Sequence, residues 1–125
     1  MEGKILILQV TNPELLQSIR AAMALQRVEV VAVEPRQYHQ TIGFLAGLPA
    51  PAAPGEYCGL PLAEPMMVLC LPQSKLDGVL SALRAVGVPP MPKAMLTATN
   101  AGWKPAQLLA ELRREREAVE KWKKK

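Results

Sequence analysis

The chain has 125 residues, of which 50% are hydrophobic and 21% are charged. This length and balance predict one folded domain with a substantial core, and they exclude a largely disordered chain. Aromatic residues make up only 4% of the sequence, so we do not expect a binding surface built from stacked rings, as in many sites for single-stranded nucleic acid.

The net charge of +4 is concentrated at the carboxyl end of the chain. Residues 1–110 carry eight basic and seven acidic side chains, whereas residues 111–125 carry seven basic and four acidic ones. Lysines at the end of a helix complement its dipole and favour solubility. We therefore do not expect nucleic acid as a partner. The alternative is a weak nucleic-acid contact through the lysine-rich tail, which contains Lys121, Lys123, Lys124 and Lys125.

Metal and cofactor sites are not expected. The two cysteines, Cys58 and Cys70, are twelve residues apart, a spacing that fits neither a metal site nor a redox motif. With His39 as the single histidine, the usual zinc ligand sets cannot be assembled. No glycine-rich nucleotide-binding pattern is present. Because no secretory-type segment and no apolar run of about 20 residues is found, we expect a cytoplasmic protein that does not bind membranes.

The first third of the chain predicts a strand, a helix and a second strand. Residues 4–10 contain four consecutive aliphatic side chains, which indicate a strand buried on both faces. Asn12 and Pro13 suit the cap and the first position of a helix, and apolar residues then recur at helical spacing. Residues 28–33 predict the second strand, which ends before Pro35 because proline lacks an amide donor.

A short helix and a long proline-rich segment follow. In the helix predicted over residues 40–48, Gly43 and Gly47 have two interpretations. Either Gly47 ends the helix in a left-handed turn, or both glycines let another backbone approach closely. Residues 49–65 contain five prolines and predict an ordered flap. The flap side chains expected to pack on the body are Tyr57, Leu60 and Leu62.

The remainder repeats the strand–helix–strand pattern and adds a last helix. Residues 66–71 predict a wholly apolar strand, and Ser74 with Asp77 predicts a capping box at the start of the next helix. Proline density before residues 93–97 places the fourth strand at an edge of the sheet. Residues 105–125 predict a charged carboxyl-terminal helix whose far half projects into solvent. Its apolar side contains Leu108, Leu109, Leu112, Val119 and Trp122.

Two similar strand–helix–strand units indicate an internal pseudo-repeat within a single α/β domain over residues 1–125. We expect a four-stranded, mainly parallel sheet of order 2-1-3-4 with helices on both faces, because neither apolar strand alternates with polar residues. The long connection between the second and third strands also suits a crossover better than a hairpin. The alternative is a ferredoxin-like βαββαβ sandwich of order 4-1-3-2 with the last helix covering its open face.

Two segments of the sequence carry a resemblance to a known family. The first contains Glu34, Pro35, Tyr38, Gln40, Thr41, Gly43, Leu45, Ala46 and Gly47. The second contains Lys93, Ala94, Leu96, Thr97, Thr99, Asn100 and Trp103. Over nearly its full length the chain resembles the domain of unknown function 3783, a family of small, mostly bacterial proteins. The resemblance implies a cytoplasmic location and the extent of the domain, but it implies no reaction.

A candidate binding site follows from the expected parallel sheet. Ligands bind such sheets beyond the carboxyl ends of the strands, and polar residues follow all four predicted strands. The candidate ligand-binding residues are Arg36, Tyr38, Gln40, Thr41, Thr97, Thr99 and Asn100. Mostly neutral hydrogen-bonding groups suit a small polar or anionic ligand better than covalent chemistry. Alternatively, the same residues cap helices and close turns.

We therefore expect a non-enzymatic module that binds a small ligand or interacts with a protein in a regulatory role. The alternative is a small enzyme that acts on a polar or anionic metabolite with His39 as base. No catalytic residue is assigned, because nothing in the sequence fixes the geometry of a pair such as Cys58 and His39. The partner is expected to be a small molecule or a protein, and a homodimer through Val119 and Trp122 is a further possibility.

Overall fold

The computed structural model describes residues 3–123, and for Trp122 and Lys123 it describes the backbone alone. The predicted roles of the Trp122 side chain and of Lys123–Lys125 therefore lie outside the described part of the chain. The strands are β1 (Lys4–Leu8), β2 (Glu29–Val33), β3 (Met66–Cys70) and β4 (Lys93–Met95). The helices are α1 (Pro13–Leu25), α2 (Ile42–Leu45), α3 (Gln73–Ala85) and α4 (Pro105–Lys123).

The four strands form one sheet of order β2-β1-β3-β4. This is the predicted order, and the ferredoxin-like order 4-1-3-2 is not found. The β1–β2 and β3–β4 pairs are parallel, as expected for two strand–helix–strand units. The central pair is antiparallel, with Leu6 opposite Val68. The sheet is therefore mixed and mostly parallel, with the two units running in opposite directions.

The path of residues 34–65 explains why β3 runs antiparallel to β1. The segment begins at the carboxyl end of β1, where the Tyr38 hydroxyl donates to Gln9 Oε1. It then crosses one face of the sheet, because Ala46 lines a cavity with Lys4 at the amino end of β1. It finally returns, since the backbone N–H of Leu62 also donates to Gln9 Oε1. The start of β3 consequently lies beside the carboxyl end of β1.

The core has one layer on each face of the sheet. Side chains of β1 and β3 alternate between these layers, so both central strands are buried on both faces, as the unbroken apolar runs predicted. One face packs against α2, part of the flap and α4, and the other packs against α1 and α3. Each fully buried aliphatic side chain contributes about 1.5–3 kcal/mol. The buried side chains of the central strands are Leu6, Leu8, Met66 and Val68 on the face that contacts α2 and α4. On the face that contacts α1 and α3 they are Ile5, Ile7, Met67 and Leu69.

The helix ends confirm some predictions and correct one. Asn12 caps α1, since its Oδ1 accepts from Glu14 N at 3.0 Å and from Leu15 N at 3.3 Å. The predicted capping box of α3 is wrong, because the helix begins two residues earlier than a cap at Ser74 requires. Its cap is Pro72, which makes no side-chain cap hydrogen bond, and Ser74 lies inside the first turn.

The two glycines near α2 have different roles. Gly47 follows the helix with φ +85°, in the left-handed region that favours glycine. Gly43 lies against the 3₁₀ turn Asn100–Gly102, where an added Cβ would be 3.0 Å from the Ala101 carbonyl oxygen. One glycine thus ends the helix, and the other allows a close backbone contact.

The flap of residues 49–65 is held to the body at several points. Leu62 is buried, Tyr57 packs on the core, and Tyr57 N donates to Arg36 O at 2.9 Å. The prediction for Leu60 is wrong, because its side chain is 83% exposed while its carbonyl accepts from the Tyr57 hydroxyl. The polar anchor is Gln40, whose side-chain amide exchanges two hydrogen bonds with the backbone of Ala53.

Candidate functional site

The carboxyl ends of the four strands do not meet at one edge of the sheet. Because β1 and β3 are antiparallel, the carboxyl ends of β1 and β2 lie at one end of the strands, and those of β3 and β4 lie at the other end. The premise that all the polar strand ends converge is therefore wrong. The candidate residues after β2 and those after β4 therefore start from opposite ends of the strands.

Arg36 and Tyr38 lie near the carboxyl end of β2. Arg36 is exposed and pairs with Glu34, whose hydrogen bond and charge raise the pKa of the guanidinium, and with Glu56 at 3.6 Å. Tyr38 is buried, and its burial raises the pKa of the phenol. Its hydroxyl donates to Gln9, a residue with φ +64°. Both side chains thus bond to groups of the chain itself.

Gln40 and Thr41 connect the flap to α2. Gln40 is 8% exposed, and its Oε1 accepts from Ala53 N at 2.8 Å while its Nε2 donates to Ala53 O at 3.0 Å. Thr41 Oγ1 accepts from Phe44 N and so caps α2. These are the anchoring and capping roles that the alternative interpretation of such residues predicts.

The residues after β4 form a compact turn around Asn100. Asn100 is 7% exposed, and its Oδ1 accepts from Thr97 N at 2.8 Å. Its Nδ2 donates to Met95 O at 2.9 Å, and Thr97 Oγ1 accepts from Asn100 N. Thr99 is exposed. Asn100 thus closes the end of β4 with its own side chain.

The two groups of candidate residues approach each other through α2 rather than through the strand ends. Ile42 N, which follows Thr41, donates to Trp103 O at 2.8 Å. Gly43 packs against Ala101 in the turn that contains Asn100. The structure therefore brings Thr41 near the turn after β4 by backbone packing.

His39 and the two cysteines do not form a catalytic arrangement with one another. His39 Nε2 lies 3.3 Å from Gln40 Nε2, and Nδ1 is buried without a hydrogen-bond partner in the described structure. Cys58 is exposed, and its thiol contacts Glu56 O. Burial raises the pKa of the Cys70 thiol, which favours its protonated form. Within residues 3–123, no group of three His, Cys, Asp or Glu side chains is placed to hold a metal ion.

A groove between β4 and α4 contains two adjoining cavities that are open to the surface. One cavity of about 510 Å³ is lined by Pro90, Met91, Pro92, Lys93, Leu112, Glu115, Arg116, Val119 and Glu120. An adjoining cavity of about 360 Å³ shares Lys93, Leu112 and Glu115 with it. The second cavity extends to Thr97, Thr99 and Asn100, three of the predicted ligand-binding residues. We call the two together the β4–α4 groove.

The edge of β4 that faces away from β3 has unpaired backbone groups. Met67 N donates to Pro92 O and Leu96 N donates to Leu69 O, each at 3.0 Å. In a parallel pair, alternate residues bond to the same neighbour, so Lys93 and Met95 direct their backbone groups outward. This register leaves the N–H and C=O of Lys93 and the N–H of Met95 outside the β3–β4 ladder, and no other backbone hydrogen bond within residues 3–123 reaches them. The groove thus lies beside an open strand edge.

Charges on the groove are unevenly distributed. Glu115 and Glu120, both on α4, make no close ion pair within the described part of the chain, although Glu120 attracts Arg116 of the same helix. The two terminal nitrogens of Arg116 each donate to a different oxygen of Glu64 at 2.9 Å. The α4 wall of the groove therefore has an excess of negative charge.

Sequence reasoning identified one side of this groove and missed the other. Proline density correctly placed β4 at an edge of the sheet, and Thr97, Thr99 and Asn100 were already candidates. The contribution of α4 was not predicted, although its far half is exposed over residues 113–121, as expected. A usable signal was the spacing of Leu112, Glu115 and Val119, which places them on one face of a helix.

Comparison with known proteins gives one family match, which covers the part of the chain that includes most of the groove residues. The family model described as domain of unknown function DUF3783 matches residues 65–119. This match spans β3 to α4 and includes the second resembling segment, whereas the first, residues 34–47, lies outside it. No curated protein and no solved structure matches the chain. No helix in the described range is long and apolar enough to cross a membrane. Residues 65–119 of the chain are therefore similar to the DUF3783 family.

Proposed function

We propose that the chain is a protein-interaction module that binds a segment of polypeptide in the β4–α4 groove. The observation that carries this proposal is the open edge of β4, whose free N–H and C=O groups lie beside the two cavities of the groove. A backbone segment is the ligand that offers matching donors and acceptors along a strand edge. Nearly all of the groove residues lie in the segment that the family shares.

Side-chain hydrogen bonding favours a polypeptide over a small polar ligand. Tyr38, Gln40, Thr41 and Asn100 already bond through their side chains to other groups of the chain. A small ligand at these residues would have to replace those bonds, and leaving a buried polar group unpaired costs about 1–3 kcal/mol. The edge of β4 needs no such exchange at the N–H and C=O of Lys93 or the N–H of Met95, because these outward groups have no hydrogen bond to lose.

Selection from a random heptapeptide library displayed on phage tests the proposal. The chain is immobilised, the selected peptides are synthesised, and their affinities are measured by fluorescence anisotropy. Val119→Asp adds charge and removes apolar surface in the groove, at a side chain that is already 52% exposed. We expect it to weaken the selected peptides by about tenfold, as loss of one interface contact does.

The matched control is Leu25→Asp, which introduces the same charge at an 86% exposed position on α1. α1 packs on the opposite face of the sheet, so this variant is expected to bind as the wild type does. Peptides that bind the wild type and Val119→Asp equally well would contradict the proposed site. Failure to select any peptide would contradict the proposed function itself.

A further inference from the structure

We infer that the segment bound in the β4–α4 groove is extended and joins the sheet as a fifth strand beside β4. This inference rests on the function proposed above. The N–H and C=O of Lys93 and the N–H of Met95 form a short row of unpaired groups, which is the pattern that a neighbouring strand completes. One added strand would satisfy all three.

Side-chain hydrogen bonds occupy the backbone carbonyls at both ends of the open β4 edge. Met95 O accepts from Asn100 Nδ2, and Met91 O accepts from Lys93 Nζ at 3.4 Å. Side chains that cover the ends of an edge strand limit uncontrolled pairing with other chains. At the opposite edge of the sheet, Arg20 Nη1 donates to Val30 O of β2. Between Met91 O and Met95 O, which both accept side-chain hydrogen bonds, the β4 edge is open beside the groove.

The two walls beside this edge differ in charge. On the α4 side, Glu115 and Glu120 line the groove without a close ion pair among residues 3–123, and Arg116 beside them is bonded to Glu64. On the α3 side, a smaller cavity of about 130 Å³ is lined by Leu80, Leu83, Arg84, Val88 and Lys93. The α4 wall is therefore acidic, whereas the α3 wall is apolar with the cation Arg84, and Lys93 lines the cavities on both sides.

This difference specifies the chemistry of the partner. Side chains along an added strand point alternately toward the α4 wall and the α3 wall. Basic side chains complement Glu115 and Glu120, whereas apolar side chains suit the cavity that contains Leu80 and Val88. A shift of the added strand by one residue would place its basic groups near Arg84 and away from Glu115 and Glu120. The partner is therefore an extended segment that alternates basic and apolar residues.

An acetylated and amidated hexapeptide that alternates lysine and valine is the probe. Its affinity for the full chain is measured by calorimetry at low ionic strength, beside a peptide that alternates glutamate and valine. We expect the lysine peptide to bind and the glutamate peptide to bind at least about tenfold more weakly, because charge complementarity selects partners. Glu115→Lys should weaken the lysine peptide.

Met95→Pro tests the backbone contact directly. It removes an N–H that points away from β3, and proline is tolerated at such a position of an edge strand. We expect about fivefold weaker binding of the lysine peptide, the effect of one lost hydrogen bond. A second measurement leaves the protein unchanged. Peptides N-methylated on either the lysine or the valine amides should differ, because only one of these sets faces β4.

The outcomes separate this inference from the proposed function. If Val119→Asp abolishes binding but Met95→Pro and both methylated peptides bind normally, a polypeptide occupies the groove without joining the sheet, and the inference is wrong. Equal binding of the lysine and glutamate peptides would contradict the assigned partner chemistry. A wild-type dimer in sedimentation that Met95→Pro dissociates would identify a second copy as the occupant and overturn the inference.

Discussion

The carboxylate of Glu64 accepts two hydrogen bonds from the guanidinium of Arg116, each at 2.9 Å. Arg113 adds a third contact, with its Nε 3.4 Å from Glu64 Oε2. Glu64 lies at the end of the flap, two residues before β3, whereas both arginines lie on α4. The cluster therefore ties the flap to the helix that forms one wall of the β4–α4 groove.

Glu64→Gln should lower the melting temperature at neutral pH. Arg116 lowers the pKa of Glu64 through hydrogen bonds and charge. A lowered carboxyl pKa stabilises the folded state above the ordinary pKa, and this stabilisation is lost as the pH falls through the lowered value. The difference between wild type and Glu64→Gln should thus be present at pH 7 and vanish in strong acid. Calorimetric melting over a pH series measures it.

The effect of Glu64→Gln should be small, since bidentate geometry strengthens the pair but both side chains are partly exposed. Glu117→Gln, at an exposed position of the same helix, serves as the control and should have less effect at neutral pH. A Glu64→Gln difference that grows as the pH falls would have the opposite sign and would contradict this account.

Asn100→Ala should destabilise the fold by about 1–3 kcal/mol, because it removes a buried side chain that bonds two backbone groups at the end of β4. The affected groups are Thr97 N and Met95 O, both bonded by the Asn100 side chain. Thr99→Ala, at the neighbouring exposed position, should change stability by no more than about 0.5 kcal/mol. Urea denaturation measures both, and equal effects would rule out a structural role for Asn100.

Gly43→Ala should cost about 1–3 kcal/mol through overpacking. Its new Cβ would lie 3.0 Å from Ala101 O and 3.3 Å from Ala101 Cβ, where α2 meets the turn after β4. Gly102→Ala is the matched control, because nothing lies within 4 Å of its added Cβ. Chemical denaturation of the two variants gives the comparison. A Gly43→Ala variant as stable as Gly102→Ala would show that this contact is not tight.

Gln40→Ala should loosen the flap without unfolding the sheet. The Ala53 N–H donates to Gln40 Oε1 at 2.8 Å, so its hydrogen exchange should be slow in the wild type and faster in the variant. Gln107→Ala, at an exposed position of α4, provides the control. Exchange monitored by mass spectrometry over residues 49–61 measures the change. Unchanged exchange in that segment would show that Gln40 does not anchor the flap.

Sequence patterns predicted the parts of this fold that depend on local chemistry and burial. The unbroken apolar runs in β1 and β3 predicted that both faces of the sheet are covered, and Asn12 with Pro13 predicted the start of α1. Prolines before β4 predicted its edge position. Each of these signals acts within a few residues along the chain.

The direction of β3 could not be read from the same signals. It depends on how residues 34–65 return across the sheet, which is determined by contacts between distant residues such as Leu62 and Gln9. The β4–α4 groove was missed for a related reason. The pair between Arg116 and Glu64 ties α4, one wall of the groove, to the flap. These two residues are 52 positions apart, so no local sequence pattern indicates their contact. Whether the seven candidate residues bind a ligand remains a prediction.

Amide hydrogen exchange at β4, followed by nuclear magnetic resonance, is the most direct test of strand addition. The wild-type chain is measured with and without a saturating amount of the lysine–valine hexapeptide. We predict that the Lys93 and Met95 amides become protected while the Ala94 amide, which faces β3, keeps its protection. Bound peptide that leaves the exchange of Met95 unchanged would contradict the account.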